Sequence, residues 1–426
     1  FYKAHPHLLG RTKPTKKQLK DQEGMLPGMA MHREDNTRAP KADLAWHLRA
    51  WGQWVLDRAR KDLVKFYPTY ADFEAIPLTS KDKKDGILPK PFEKRPMQFV
   101  PFKKDGTPDI GALNKSFSKD YLVDKTNPRW ITKPTVAYLW ARTMKCKNCR
   151  ATVPLLKTRW LSKKKDGRKR VLLTMEPNAE KTGVVFGIDS NVSVKGGNAA
   201  QRREHDKRIG AGTMSRSGAK CPCCSAIMEM DDIQLEGKAG RLDLTNTAVV
   251  TEGKDGKEYR VPQPQELAAL VVSQGELRDL YSNIPFGLPD EKILEDAKRN
   301  TWCVQYGIDE FWKIFTHRQL LSLGQLILQI RSLKEWLPRQ GYSALWVEAL
   351  IGELALSLDR QISFLCSNVR WKVDAEAVID AFARFAIPLM WDFAESNPIG
   401  ASAGSFELCY KRIATALDSF SNWQIV

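Results

Sequence analysis

The sequence lacks any apolar run long enough to cross a membrane. Its longest apolar stretch, residues 344–358, is broken by Glu348 and Glu353 and falls short of the roughly 20 clean residues that a spanning helix needs. No signal-peptide pattern is visible, because the first residues are basic and polar with no apolar core behind them. Cysteine is scarce, 8 in 426 residues, which excludes a disulfide scaffold and favours a reducing, cytoplasmic setting. There is no Walker loop, no H-E-x-x-H and no convincingly spaced carboxylate pair, so the common hydrolase signatures are missing. Apolar content of 42% and charged content of 27% exclude wholesale disorder and fibrous repeats. The length suggests two or three domains at about 150 residues each.

What is abundant is positive charge. The formal net charge is +17, and it is unevenly spread. Residues 1–260 carry a balance of +22, whereas residues 261–426 carry −5. A basic part joined to a mildly acidic remainder implies one face for a polyanion, nucleic acid first, and another for packing or assembly. No basic amphipathic anchor helix speaks for a membrane.

Periodicity divides the chain into four stretches. Residues 1–40 read as a basic arm without sustained period. In residues 41–134, Asp43 caps a helix whose stripe is Leu44, Leu48, Trp51 and Val55, running to about Lys65. A Pro- and Lys-rich segment from Tyr67 to Lys133 follows and reads as draped over the surface. Residues 135–262 hold six short β-like runs separated by Gly, Asp and Lys turns, a small antiparallel module. Residues 263–426 read as a helical domain. Its helices are expected over 265–281, 310–336, 343–368 and 404–420, the third buried all round in its first half. A further apolar stripe runs through Val378, Phe382, Phe385 and Leu389, ended or kinked by Pro388. The Gly-Ala-Ser-Ala-Gly run at 400–404 reads as a helix-start turn lacking a preceding strand. The fold class is thus α+β, a small β module inserted in a mainly helical chain.

Two C-x-x-C pairs, Cys146-Lys147-Asn148-Cys149 and Cys221-Pro222-Cys223-Cys224, are separated by 71 residues. Each stands at the end of an expected hairpin. Two residues between sulfurs let both face one ion at about 2.3 Å, and two such knuckles close a tetrahedron, so a structural Zn2+ held by Cys146, Cys149, Cys221 and Cys224 is expected. Unmetallated buried thiols and a redox dithiol are the alternatives, and Cys223 competes with Cys224 for the fourth place. Arg150 and Ser225 stand where such turns often carry glycine. The long gap should carry structure of its own. Cys303, Cys366 and Cys409 read as core residues, and His205 as a solvated loop residue.

Nucleic-acid contact is expected at Lys163, Lys164, Lys165, Arg168, Lys169 and Arg170, six cations on a tight hairpin, and more weakly at 202–208, including Arg202 and Arg203, and at 13–20. Trp160 and Trp130 could stack on unpaired bases; a charged soluble hairpin with Trp160 packed beneath it is the plain alternative.

Tyr138-Leu139-Trp140-Ala141-Arg142-Thr143-Met144-Lys145-Cys146, Val153-Pro154-Leu155-Leu156, Trp160-Leu161-Ser162-Lys163, Phe315-Thr316-His317-Arg318-Gln319 and Trp391-Asp392-Phe393-Ala394-Glu395-Ser396-Asn397-Pro398 together resemble the zinc-ribbon-containing adenine-specific DNA methylases of bacterial and archaeal anti-phage defence clusters. The resemblance implies S-adenosylmethionine as cofactor, DNA as partner, other defence-system subunits nearby, and a larger Rossmann-like enzyme. That family carries an F-x-G-x-G cofactor loop before this region and a D-P-P-Y loop after it. Neither motif occurs here, and the sequence has no Pro-Pro at all. The resemblance therefore implies a piece of a longer polypeptide, with no catalytic residue and no cofactor-binding residue to assign. A non-catalytic nucleic-acid-binding scaffold subunit is the other expectation.

Overall fold

The computed structural model describes residues 43–76, 79–164, 167–254, 256–294, 300–382 and 386–421. The expected arm over 1–40, the run 13–20, Lys165 and Phe385 lie outside the described residues. Asp43 opens helix α1 (Leu44–Leu63), its carboxylate accepting the Trp46 amide at 2.8 Å. The expected stripe is buried, with Leu48, Trp51 and Val55 joined by Leu56, Ala59 and Leu63. The segment expected to drape over the surface is folded in part, while residues 85–97 run mostly exposed without helix or strand. Strands β1 (Tyr70–Ala75), β2 (Gln98–Phe99) and β3 (Pro128–Lys133) form a sheet ordered β2-β1-β3. Phe73 fills its face, packed edge-on against Trp130 at 5.4 Å and stacked on Phe117 at 6.0 Å. The strands are far apart in sequence and joined by Pro-rich connections, which hides their pairing from any local pattern.

Strand β4 (Thr135–Lys145) is the spine. After it come β5 (Thr152–Leu155), β6 (Trp160–Lys163), β7 (Arg170–Pro177), β8 (Val184–Asp189), helix α2 (Ala199–Ile209), β9 (Gly218–Lys220), β10 (Ile227–Glu229), α3 (Met230–Lys238), β11 (Asp243–Gly253) and β12 (Gly256–Arg260). Five of the six expected runs are single strands, the sixth, 153–160, is split into β5 and β6, and β9 and β10 add a pair outside those runs. The long gap between cysteine pairs does carry structure, the β6-β7-β8 sheet and α2.

The expected single helix over 265–281 is two. A short one at Pro264–Ala269 is followed by α4 (Gln274–Tyr281), because Ser273 caps the second by accepting the Glu276 amide. The helix expected from 310 begins later. Residues Phe311–Ile314 form a 3-10 turn, and the Thr316–Gln319 capping box starts α5 (His317–Arg339). Helix α6 (Ala344–Ile362) is not buried all round, for Leu345 and Leu356 are exposed while Val347, Leu350 and Leu354 face the core. The apolar stripe from Val378 is not a helix. Val378 belongs to a hairpin of β13 (Arg370–Lys372) and β14 (Ala377–Ile379), opposite Trp371, and the described residues Phe382 and Leu389 lie in no helix. Strand β15 (Asp392–Ser396) then precedes the Gly-rich turn at 400–404, correcting the expectation that no strand stands before it, and the turn leads into α7 (Phe406–Ser421).

The chain is thus a mixed α/β fold in which every strand pair among the described residues is antiparallel. The central sheet runs β12-β11-β4-β15, and β5 extends the edge of β4 beyond β15. Alternation along β4 divides two cores. Tyr138 and Trp140 face α1 and α5–α7, while Ala137, Leu139 and Ala141 face the cysteine knuckles and β7. At Gly52 α1 approaches α7 so closely that a Cβ would lie 2.6 Å from the Tyr410 ring.

Where the helical core meets the sheet, Arg318 of α5 is 1% exposed and pairs with Glu395 of β15, 0% exposed, at 2.8 Å. Glu395 also accepts from the Tyr67 hydroxyl at 3.1 Å and the Trp140 indole at 2.8 Å. Arg318 donates to the Phe66 carbonyl at 3.0 Å and lies 4.2 Å from the Tyr138 ring centre. Burial works against the Arg318 charge, yet Glu395 outweighs it and holds the guanidinium protonated. Removing one partner strands a buried charge. Arg318→Met should therefore lower stability by roughly 3–5 kcal/mol, and Arg318→Met with Glu395→Leu by much less. Urea denaturation reads both, and equal losses would refute the paired arrangement.

Candidate metal centre and basic surface

Each cysteine pair sits in the turn of a hairpin, β4–β5 or β9–β10, and the two turns are built alike. The Cys146 amide donates to the Ala151 carbonyl at 2.8 Å, and the Arg150 amide to the Cys146 carbonyl at 3.0 Å. The second turn repeats this with Cys221 to Ala226 at 2.8 Å and Ser225 to Cys221 at 2.9 Å. Both turns need a left-handed residue after the second cysteine. Arg150 and Ser225 take it with φ of 61° and 64°, so the two departures from glycine are tolerated in the expected geometry.

The four sulfurs lie within 4.8 Å of one another, with Cys146 to Cys224 at 3.6 Å and Cys149 to Cys221 at 3.7 Å. A tetrahedron of thiolates about 2.3 Å from one ion has edges of about 3.8 Å. The quartet could therefore hold a metal ion with little movement. Cys223 points elsewhere, its thiol 3.4 Å from the Gly183 carbonyl, which decides between it and Cys224. Hydrogen bonding from the Ala226 amide holds the Cys224 thiol down to about 6, whereas burial pushes Cys221 up to about 12. Lys147 of the first turn pairs with Asp232 of α3 at 2.7 Å. The same helix abuts the 3-10 turn Trp302–Tyr306, where a Cβ on Gly237 would lie 2.5 Å from the Tyr306 carbonyl oxygen. The quartet thus ties two hairpins to the far half of the chain.

The cationic hairpin is less free than its sequence suggests. Arg170, 7% exposed, grips Asp206 of α2, and its guanidinium lies 4.8 Å from the Trp160 ring centre. Lys163 stands 3.7 Å from Asp206. Lys164 and Lys169 pair with Glu376 at 3.0 and 2.6 Å. Arg168 is exposed and has an interaction of its own. Arg170 holds the Asp206 carboxyl below the ordinary carboxylate range. Burial opposes ionisation of Glu376, but Lys169 and Lys164 prevail and lower it too. Four of the six expected phosphate contacts are therefore internal ion pairs.

Helix α2 is different. Arg202, Arg203, Lys207 and Arg208 are exposed on it and make no ion pair among the described residues. Asn198 caps the helix, and Asp206 docks it onto the hairpin, helped by the Trp160 indole donating to the Asp206 carbonyl at 3.0 Å. His205 is half-buried in this helix rather than in a loop. Trp160 is packed beneath the hairpin at 7% exposure, and Trp130 belongs to the Phe73 cluster. Cys303, Cys366 and Cys409 are buried in the core as expected. Glu376 and Asp206 were the residues that sequence reasoning missed. A lone carboxylate 206 residues distant from its partner's hairpin leaves no local signal, although Asp206 inside a basic run was a visible cue.

Comparison of the chain with protein-family models, with curated proteins and with solved structures finds no match.

Because thiols must lose protons to bind a metal, loading should release protons at pH 7 and weaken as pH falls towards 5. Purified protein should hold one equivalent of divalent metal, lost in Cys221→Ser and kept in Cys223→Ser. Elemental analysis checks this, and metal retained by Cys221→Ser would remove the quartet from consideration. The depressed Asp206 carboxyl stabilises the fold above the ordinary carboxylate range, and that contribution disappears as pH drops through its lowered value. Asp206→Asn should accordingly flatten the acid limb of a stability–pH profile.

Proposed function

We propose that this chain is the zinc-ribbon and DNA-binding region of a DNA adenine-N6 methyltransferase of an anti-phage defence system. The observation that carries the nucleic-acid part is α2, with four exposed cations, held against Arg170 of β7 by Asp206. Exposed cations of this kind suit backbone phosphates, whose neutralisation releases counterions. The clustering of the four sulfurs supports zinc in a structural role, since four thiolates leave no open coordination position. The sequence resemblance supplies the methyltransferase identity. S-adenosylmethionine would be held elsewhere in the enzyme, because the described strands pair only antiparallel and a Rossmann-like cofactor sheet is parallel.

The isolated 426 residues should bind duplex DNA and transfer no methyl group. Affinity should fall linearly in log salt, with a slope near 0.9 per phosphate neutralised. Replacing Arg202, Arg203, Lys207 and Arg208 with glutamine should flatten that slope by about 2 to 4. Substituting Lys164 and Lys169, already paired with Glu376, should change it far less. Fluorescence anisotropy over a salt series measures both, and an unchanged slope in the α2 variant would sink the DNA-binding assignment.

A further inference from the structure

The loop that follows α4 turns on Ile284-Pro285-Phe286-Gly287, where the Gly287 amide donates to the Ile284 carbonyl at 3.0 Å. Proline suits the second place of such a turn, and the third calls for a positive φ, the province of glycine or asparagine. Phe286 takes that third place at φ 71°, and its side chain is 100% exposed. A left-handed backbone is costly for a residue with a Cβ. No contact of the ring with the described residues offsets that cost. Strain held in this way collects where a segment serves a ligand or partner.

The tip stands on a stiff base. Ile284 is buried, and the chain beyond the tip is cross-bonded to the segment that precedes α5. The Trp312 amide donates to the Pro289 carbonyl at 2.9 Å, the Phe311 amide to Glu291 at 3.2 Å, and the Ile293 amide to Asp309 at 2.8 Å. An aromatic ring presented on so fixed a loop loses little entropy on binding, as an interface anchor requires. At its foot Asp290 and Glu291 are exposed and make no ion pair among the described residues, whereas Lys292 is taken by Asp309 and Glu310. The knob is aromatic with an acidic collar.

A socket of the opposite character lies elsewhere on the chain. Between the central sheet, β6–β7 and the β13–β14 hairpin is a cleft of about 500 Å3. Its accessible wall is apolar, with Trp302 at 45% exposure and Trp371, Val373, Pro388 and Met390 half-buried. Lys157 and Arg370 are exposed at its mouth and make no ion pair among the described residues. Asp392 in the wall already accepts the Lys157 amide at 3.2 Å, so an apolar ring leaves that carboxylate its partner.

We propose that Phe286 of one copy of this chain seats in the cleft of a second copy, its ring against Trp302 and Trp371. The acidic collar of Asp290 and Glu291 then meets Lys157 and Arg370, which is why a second copy is the fitting occupant. Knob and socket are different surfaces, so the contact is heterologous. One buried ring and two exposed charge pairs make a weak association that salt weakens further. The inference goes beyond the nucleic-acid reading and needs neither DNA nor methyl transfer.

Sedimentation velocity of the full chain in reducing buffer, from about 10 to about 500 μM, tests it. The wild type should self-associate with a Kd of roughly 10–100 μM, less tightly as salt rises. Phe286→Gly should abolish association with the thermal midpoint held or raised, because glycine suits the left-handed place. Trp302→Glu should abolish it by blocking the socket. Mixed in equal amounts, these two variants should form a one-to-one complex, since each keeps the half that the other lacks. Arg370→Glu, on the exposed rim, should weaken self-association by about tenfold. A wild-type chain that stays monomeric, association that survives Phe286→Gly, or association unchanged in Arg370→Glu overturns the inference. So does a mixture of the two blocked variants that stays monomeric.

Discussion

The Arg318–Glu395 pair is the point through which the rest of the structure is joined. Two charges without water are costly, and this pair is supported only because four elements converge to serve it. The 3-10 turn that follows α1 contributes Phe66 and Tyr67, β4 contributes Tyr138 and Trp140, and α5 and β15 contribute the charges themselves. A helix shifted by one turn, or a strand slipped by one residue, would leave Glu395 facing apolar side chains. The network therefore selects one register for β15 against β4, with Glu395 opposite Tyr138.

That register propagates along β4 to the cysteines. The strand spans from the ion pair at one end to Cys146 at the other, and its edge is shared by β15 and then β5. Holding β15 in place leaves room for β5, and β5 closes the first knuckle. A metal ion at the quartet would fasten the second knuckle and α3 to the same strand. The helical half and the cysteine half are therefore two ends of one sheet.

Electrostatics follow a similar logic of internal use. A run of cations at residues 163–170 looks like a surface for phosphate, yet the fold brings Asp206 and Glu376 to it, so part of its positive charge is offset from within the chain. The cations of α2 remain outward because the docking face of that helix is taken by Asp206, Gly210 and the Trp160 indole. Of the cations expected at phosphate, Arg202 and Arg203 are exposed, while Lys163, Lys164, Lys169 and Arg170 meet carboxylates of the same chain.

The sequence alone determined what depends on near neighbours. The α1 stripe and its Asp43 cap, five of the six short strands, both knuckles and the buried lone cysteines were legible because periodicity, caps and C-x-x-C spacing act over a few residues. Only the tertiary structure decided what depends on distant partners. Pairing of β1 with β3 across a Pro-rich segment, β15 beside β4, and the meeting of Lys164 and Lys169 with Glu376 each join residues that no local pattern connects. The physical reason is that a desolvated charge or an unpaired strand edge takes whichever partner the folded chain brings within reach, and that distance is set by the whole packing.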